Sequence, residues 1–300
     1  MKLEALNSRF GSDRVVFSEG NGGLAKCNIK TEKAELEFYL QGSHITHFKP
    51  RGADSVLWMS TQSEFRTGVA IRGGIPICWP WFGPHPTDAR MPQHGFARIE
   101  KWNVIDVDDL PTGEIQVQMS LSNSPRTREL WPFEFDLSYR ILIGEQLKLE
   151  LICSNVGSVV LSDIGCALHT YFQVADIKDV QVHGLDERRY IDKTDGASTK
   201  WQSGPLWITE ETDRVFLDSA EAIQLVESRR QRSVNVQKTG SQSTVIWNPW
   251  IEKANAMVDF PNDGYQRMIC IETANAGNDV RKIGLGGEHI LTAEIAIQEN

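Results

Sequence analysis

Hydrophobic and polar residues alternate with a period of two along much of this chain, most clearly between residues 135 and 151. The segment FDLSYRILI (135–143) places alternate apolar side chains on one face, and LKLEL (147–151) repeats the pattern. Gly144 and Glu145 between them are suited to a turn. The pattern predicts an antiparallel hairpin with one buried face.

Short apolar runs of the same kind, bounded by turn residues, recur along the rest of the chain. They predict strands at residues 35–40, 44–49, 55–59, 75–78, 102–107, 115–121, 159–162, 167–172, 179–182, 188–191, 214–217, 223–226, 233–236, 244–247, 268–272 and 290–297. No helix longer than two turns is expected, and the polar segment 193–204 is expected to be a loop. So many short strands are typical of an all-β protein, and we predict a large antiparallel β-sandwich with few short helices.

The first 33 residues are polar and rich in turn formers, and strands are expected to begin at Ala34. We therefore predict an N-terminal extension of uncertain role at residues 1–33. A single β-sandwich domain is predicted for residues 34–300, since no linker interrupts the later pattern.

One segment, IRGGIPICWPWFGPHPTDARMPQHGFAR (71–98), breaks the alternating pattern. Four prolines lie between Pro76 and Pro86, so the segment is expected to be an irregular loop with one short strand at 75–78. Its tryptophans and phenylalanines argue against disorder. We expect a rigid loop that walls a pocket, with aromatic faces suited to a sugar ring and an arginine near each end suited to an anion.

Charge and composition narrow the classes of partner. The formal net charge is −9, which argues against nucleic acid and anionic membranes as partners, although two or three local arginines can still bind a small anion. No apolar run approaches the roughly 18 residues that span a bilayer, and no secretory signal is visible. The five cysteines show no metal or redox spacing, which indicates buried thiols in a reducing compartment. We expect a cytoplasmic protein, and a monomer, with an oligomer left open.

Four side chains are candidates for chemistry, each with a structural alternative. His169, inside an apolar run, is either a hydrogen-bonded core group or a proton donor facing a cavity. His94 lies at the end of the aromatic loop. Glu272 closes an apolar strand, where a carboxylate is either used, paired or turned to solvent. Asp213 either binds hydroxyl groups or caps a turn, and the residues alone favour the cap.

No motif for a metal, a nucleotide or a serine nucleophile is present. We therefore expect no metal site and no nucleotide-binding loop.

Five segments taken together are similar to one known family. They are RGGIPICWPWFGPHP (72–86), MPQHGFAR (91–98), DIGCALHTYFQV (163–174), DRVFLD (213–218) and CIETANAG (270–277). The chain resembles the glucose-6-phosphate 1-epimerases, or hexose-6-phosphate mutarotases, within the aldose 1-epimerase group, from about Ala34 onward. The resemblance implies a galactose mutarotase-like β-sandwich and a cofactor-independent interconversion of the α and β anomers of a hexose 6-phosphate, above all glucose 6-phosphate.

The resemblance also implies roles for individual residues. His169 would donate a proton to the ring oxygen, and Glu272 would take the proton of the anomeric hydroxyl. His94 would hold the sugar, Arg72, Gln93 and Arg98 would contact the phosphate and sugar, and Asp213 is a further sugar-binding candidate. We expect His169 and Glu272 to titrate near their reference pKa values of about 6.5 and about 4.3.

Two other functions remain open at this point. A lectin-like or regulatory sandwich would keep the pocket without catalysis, although it has no need of a matched acid and base. An epimerase of unphosphorylated aldoses would keep His169 and Glu272 but pair the arginines with protein carboxylates.

Overall fold

The computed structural model describes residues 1–299, so Asn300, the last residue of the predicted domain, lies outside the described residues. The prediction of an all-β protein with few short helices is confirmed. The described residues form three α-helices, α1 (Leu3–Phe10), α2 (Pro125–Leu130) and α3 (Trp250–Ala256). Short 3-10 helices lie at Asn21–Gly23, Ile177–Asp179, Gly264–Arg267 and Gly277–Asp279.

The strands are β1 (Val15–Glu19), β2 (Ala25–Lys30), β3 (Ala34–Tyr39), β4 (His44–Pro50), β5 (Ile77–Cys78), β6 (Asn103–Asp109), β7 (Ile115–Ser122), β8 (Asp136–Ile143), β9 (Leu147–Ser154), β10 (Leu161–Ile164), β11 (Cys166–Leu168), β12 (Tyr171–Gln173), β13 (Val180–His183), β14 (Arg189–Asp192), β15 (Ser198–Trp201), β16 (Thr212–Phe216), β17 (Ile223–Glu227), β18 (Arg232–Thr239), β19 (Ser243–Asn248), β20 (Met268–Asn275), β21 (Arg281–Ile283) and β22 (Glu288–Glu299).

Two eight-stranded antiparallel sheets form the sandwich. We call the first the hairpin sheet, with the strand order β13-β17-β18-β22-β9-β8-β7-β6. We call the second the site sheet, with the order β15-β14-β16-β19-β20-β11-β5 and β12 paired to β20. The predicted hairpin is confirmed, since β8 pairs with β9 from Asp136 opposite Ser154 to Ile143 opposite Leu147.

The main hydrophobic core lies between these two sheets. It joins Ile246 and Ile271 of the site sheet to Tyr139, Leu149 and Leu291 of the hairpin sheet in one cluster of buried side chains. Because neighbouring residues of a strand point to opposite faces, the residues beside the two isoleucines face away from this core. The outer face of the site sheet is therefore free to form a pocket.

The N-terminal residues differ from the expectation. Strands do not begin at Ala34, because β1 and β2 precede it and pair with β3 and β4 in a four-stranded sheet, β1-β2-β3-β4. Leu6 of α1 and Phe17 of β1 belong to the same core cluster as the two large sheets. Strand β1 breaks the alternation because the apolar Val16 lies on its outer face, and β2 alternates over only six residues. Residues 1–33 thus share a sheet and a core with the residues that follow.

Three further predictions about strands need correction. Residues 55–59 form isolated bridges at Leu57 and Met59 rather than a strand. The run 167–172 is interrupted between β11 and β12, and the expected loop 193–204 contains strand β15. Leu57 and the strands β11 and β12 pair with residues that are distant in sequence, which local composition does not record. Strand β15 instead pairs with the preceding strand β14 in a hairpin whose residues are mostly polar.

The proline-rich segment 71–98 is an irregular loop with one short strand, as predicted, but that strand, β5, covers only Ile77–Cys78 of the expected 75–78. Trp79 anchors it: the indole is fully buried and packs against Phe96, Trp131 and Phe135 with ring centroids 5.5, 5.0 and 4.5 Å away. All five cysteines are buried and unpaired. No helix within residues 1–299 is long and apolar enough to cross a membrane.

Candidate active site

A cavity of about 410 Å³ opens on the outer face of the site sheet, under the proline-rich loop. All seven residues singled out from the sequence line it, namely Arg72, Gln93, His94, Arg98, His169, Asp213 and Glu272. Phe82, Tyr171, Lys193, Trp247 and Lys253 contribute further side chains to its wall. The structure therefore brings the candidates together, and their individual roles stay predictions.

The register of the site sheet explains why these side chains converge. Glu272 of β20 lies opposite Val245 of β19, and Asp213 of β16 lies opposite Trp247 of β19. Directly opposed residues in an antiparallel pair point to the same face, and so do residues two apart in one strand. The four side chains therefore share the face opposite the core.

His169 and Glu272 are in contact although 103 positions separate them in the chain. The ladder of β20 changes partner at this point, because β11 ends at Leu168 and β12 begins at Tyr171. His169 Nε2 lies 3.4 Å from Glu272 Oε1, and the two side chains are 8% and 1% exposed. An imidazole and a carboxyl group, both buried, are thus placed side by side.

Each member of this pair also carries a polar atom without a partner. Nδ1 of His169 and Oε2 of Glu272 are sealed from solvent, and neither forms a hydrogen bond with a described residue. Burying an unsatisfied polar atom costs about 1–3 kcal/mol. Such a cost is tolerated where the group serves a ligand or a reaction.

The environment shifts both pKa values, which corrects the expectation that they stay near reference. Burial raises the pKa of Glu272 well above its usual range, and the charge of Asp213 adds to this effect while Lys193 and Arg98 oppose it. Burial lowers the pKa of His169 well below its usual range, and the positive charges of Arg98 and Arg72 lower it further. Both directions favour the uncharged forms of the pair.

His94 presents a defined donor to the cavity. Its backbone adopts the left-handed conformation with φ 63°, and its Nδ1 accepts a hydrogen bond from the Gly83 N–H at 3.1 Å. Burial, followed by the charge of Arg98, holds the pKa of His94 well below its usual range. The neutral ring therefore carries its hydrogen on Nε2, which is a hydrogen-bond donor rather than a second acid.

Arg98 is a cation without a neutralising partner. Its guanidinium donates to the backbone carbonyl of Gln93 at 2.5 Å, and no carboxylate of a described residue lies within ion-pair distance. Its Nε is sealed from solvent and has no hydrogen-bond partner. Burial lowers the pKa of Arg98, which shows that the surroundings disfavour its charge. A site of this kind is suited to an anion.

The other cations of the cavity have carboxylates beside them. Both Nε and Nη2 of Arg72 lie 3.0 Å from Oδ2 of Asp259. Lys193 lies 3.8 Å from Asp213 and above the Phe82 ring, and Lys253 lies 2.8 Å from Glu211. The charge of Arg98 is therefore the least compensated in the cavity wall.

Some site residues were not found from the sequence. Lys193 lies in a polar loop, Tyr171 in a strand and Asp259 in a turn. No local sequence pattern distinguishes them from their neighbours. The aromatic loop also contributes less to the pocket than expected, because Trp79, Trp81 and Phe96 pack into the core while Phe82 lines the cavity. No group of three or more His, Cys, Asp or Glu side chains in residues 1–299 is placed to hold a metal.

The chain is similar to proteins of a known family. The family model described as aldose 1-epimerase matches residues 26–291. A protein of Salmonella typhimurium strain LT2, named putative glucose-6-phosphate 1-epimerase, is 36% identical over 245 residues, which are 81% of each chain.

Solved structures show the same fold. The crystal structure of a putative mutarotase from Salmonella typhimurium superimposes with a TM-score of 0.89 at 31% identity, covering 96% of this chain and 95% of that one. The galactose 1-epimerase of Lactobacillus acidophilus NCFM superimposes with a TM-score of 0.73 at 12% identity, covering 96% and 100%, which shows the fold alone. The predicted galactose mutarotase-like sandwich is confirmed, and the chain belongs to the aldose 1-epimerase family.

Proposed function

We propose that this protein interconverts the α and β anomers of a hexose 6-phosphate, above all glucose 6-phosphate, by acid–base chemistry without a cofactor. The observation that carries the proposal is the buried His169–Glu272 pair in the same cavity as the uncompensated Arg98. The pair supports proton transfer at the anomeric centre, and Arg98 supports an anionic substrate. The name of the Salmonella relative points to the same substrate.

Each group has one task in this reaction. Glu272 takes the proton of the anomeric hydroxyl while His169 gives a proton to the ring oxygen, so the bond between C1 and the ring oxygen breaks and an aldehyde forms. Rotation about the C1–C2 bond presents the other face, and the reverse transfers close the ring. Positioned acid and base groups typically contribute about 10²- to 10⁴-fold in rate each.

The pair holds the one proton that the reaction needs. A neutral imidazole beside a protonated carboxyl has the same proton count as an imidazolium beside a carboxylate. The two forms differ by transfer between Nε2 and Oε1, which are 3.4 Å apart. The charges of Arg98 and Arg72 lower the pKa of His169, so an anion that neutralises them favours the imidazolium that donates to the ring oxygen.

The remaining cavity residues are assigned to binding. Arg98, Arg72 and Gln93 would hold the 6-phosphate and its neighbourhood, since a guanidinium forms strong charge-assisted hydrogen bonds with phosphate. His94 would donate from Nε2 to a sugar oxygen, and Asp213 would accept from a sugar hydroxyl.

The proposal predicts that Arg98→Ala raises the KM for glucose 6-phosphate by about 10- to 100-fold, with a smaller fall in kcat. Loss of a hydrogen bond to a charged group costs about 1.5–3 kcal/mol, and this bond exists in both the ground state and the transition state. Anomer-exchange kinetics measure both constants. Arg90→Ala is the matched control, because Arg90 belongs to the same loop but pairs with Asp88 at the surface. An unchanged KM in Arg98→Ala would remove Arg98 from the phosphate site.

One observation favours a second function, the epimerisation of unphosphorylated aldoses. Arg72 is already paired with Asp259, as a site for a neutral sugar requires. The ratio of kcat/KM for glucose 6-phosphate to that for free glucose separates the two functions: a ratio far above one supports the phosphorylated substrate, and a ratio near or below one supports the free sugar.

A further inference from the structure

Two residues outside the predicted set, Tyr171 and Asp259, link the anion-binding wall of the cavity to the acid–base pair. Asp259 contacts Arg72, Arg72 contacts the Tyr171 hydroxyl, and the Tyr171 ring contacts His169. The four side chains therefore form a continuous chain of contacts from the turn after α3 to the reacting groups.

Asp259 and Tyr171 fix the guanidinium of Arg72 from two directions. Oδ2 of Asp259 accepts from Nε at 3.0 Å and lies 3.0 Å from Nη2, and the hydroxyl of Tyr171 accepts from Nη1 at 3.1 Å. A guanidinium has five N–H donors. The hydrogen bonds occupy the Nε donor and one donor of Nη1, so N–H groups on both terminal nitrogens remain for a ligand.

The position of Asp259 is itself secured by its neighbours. Its backbone carbonyl accepts a hydrogen bond from the Ser60 hydroxyl at 2.6 Å. The next residue, Phe260, is fully buried, and its ring centroid lies 4.8 Å from that of Trp58. The carboxylate is therefore held by packing on one side and by a hydrogen bond on the other, so it can act as a fixed support for Arg72.

Tyr171 supports His169 with its ring. The imidazole and the phenol lie nearly parallel, with an interplanar angle of 8° and centroids 4.8 Å apart. Tyr171 is 1% exposed, and its other contacts include the edge of Trp247 at 6.0 Å. One rigid side chain therefore fixes the plane of the acid and, through its hydroxyl, the direction of Arg72.

We propose that Tyr171 and Asp259 are positioning residues, which hold Arg72 toward the 6-phosphate and couple its placement to that of His169. The inference rests on the proposed function. The two arginines then have different functions. Arg72, whose charge Asp259 compensates, orients the phosphate, and the uncompensated Arg98 supplies most of the electrostatic attraction for it.

Tyr171→Phe tests the hydroxyl because it keeps the ring. We expect the KM for glucose 6-phosphate to rise about tenfold, as for a lost hydrogen bond to a charged group, with a smaller fall in kcat. In an Arg72→Ala background the same change should add nothing, because the hydroxyl acts through Arg72. Equal increases in both backgrounds would overturn the inference. Tyr171→Leu removes the ring as well and should lower kcat further.

Asp259 is tested by a graded pair of substitutions. Asp259→Asn keeps an acceptor oxygen and should raise the KM less than Asp259→Ala does. Asp263→Ala, in the exposed turn that follows, is the matched control and should leave the KM unchanged. Thermal unfolding of every variant separates loss of binding from loss of fold. Identical KM values for Asp259→Ala and the wild type would also overturn the inference.

The same kinetics distinguish failure of the inference from failure of the proposed function. A wild-type protein that is active on glucose 6-phosphate, with additive effects of Tyr171 and Arg72, would overturn the inference alone. A folded wild-type protein without activity on glucose 6-phosphate would overturn the proposed function and the inference together.

Discussion

At the scale of single residues, the proposed function depends on the buried contact between His169 and Glu272, 3.4 Å apart. Burial lowers the pKa of His169 and raises the pKa of Glu272, and the surrounding charges modify both shifts. Both residues were identified from the sequence because polar side chains within apolar runs are conspicuous. Their shifted pKa values were not predictable, since burial and the charges of Arg98, Lys193 and Asp213 depend on strands that are distant in sequence.

The pH dependence of the reaction tests this pair. The negative charge of Asp213 raises the pKa of Glu272, so Asp213→Asn should lower that pKa. The pair would then lose its proton at lower pH, and the alkaline limb of kcat/KM should move toward lower pH. Profiles of kcat/KM for the wild type, Asp213→Asn and the exposed control Asp263→Asn measure the shift. A limb that stays in place, or moves to higher pH, contradicts this account of the pair.

At the scale of elements, the site depends on a β-sheet and on the loop that covers it. The site sheet aligns Asp213, Trp247 and Glu272 by strand register, and the proline-rich loop brings Arg72, His94 and Arg98 over them. The sequence indicated the strands and the loop separately. Their juxtaposition was supplied only by the family resemblance, because strand pairing is a long-range property that local alternation does not encode.

Gly74, the second glycine after Arg72, lies in close contact with the backbone of strand β4. Gly74 has φ 63°, and a Cβ added there would lie 2.1 Å from the carbonyl oxygen of Ile45. The backbone of Gly74 also bonds to Trp58 and to Tyr171, with distances of 2.8 and 2.9 Å. The glycine therefore permits a close approach that places Arg72 beside Tyr171.

Gly74→Ala is expected to destabilise the protein by about 3 kcal/mol, since it combines an unfavourable backbone conformation with a steric clash. Gly52→Ala is the matched control: Gly52 also has a positive φ, 80°, but no atom lies within 4 Å of its added Cβ. Its cost should be about 1 kcal/mol, from conformation alone. Urea unfolding measures both values, and equal losses would show that the close approach is unimportant.

At the scale of the whole molecule, the N-terminal residues are part of one continuous structure. Strands β1 and β2 extend the sheet of β3 and β4, and Leu6, Phe17 and Ile29 are buried in the common core. The overall class was predictable, because the later strands alternate clearly. The N-terminal strands were not predicted, since β1 is short and exposes the apolar Val16, and β2 alternates over only six residues.

Deletion of residues 1–33 tests the predicted domain boundary. Each buried Leu, Ile or Phe contributes about 1.5–3 kcal/mol, and the deletion also exposes the edge of β3. The truncated protein should therefore unfold at least about 10 °C below the full chain, or fail to fold. Scanning calorimetry of the two proteins measures the difference. An unchanged Tm would show that residues from Ala34 onward form a self-sufficient domain.

The most direct test of the central claim is anomer exchange followed by saturation-transfer NMR on glucose 6-phosphate, with free glucose and galactose in parallel. We predict protein-dependent exchange that is much faster for the phosphorylated sugar and is lost in Glu272→Gln, which keeps the shape of the side chain. Exchange that persists in a folded Glu272→Gln variant, or no exchange with any of the three sugars, would contradict the account.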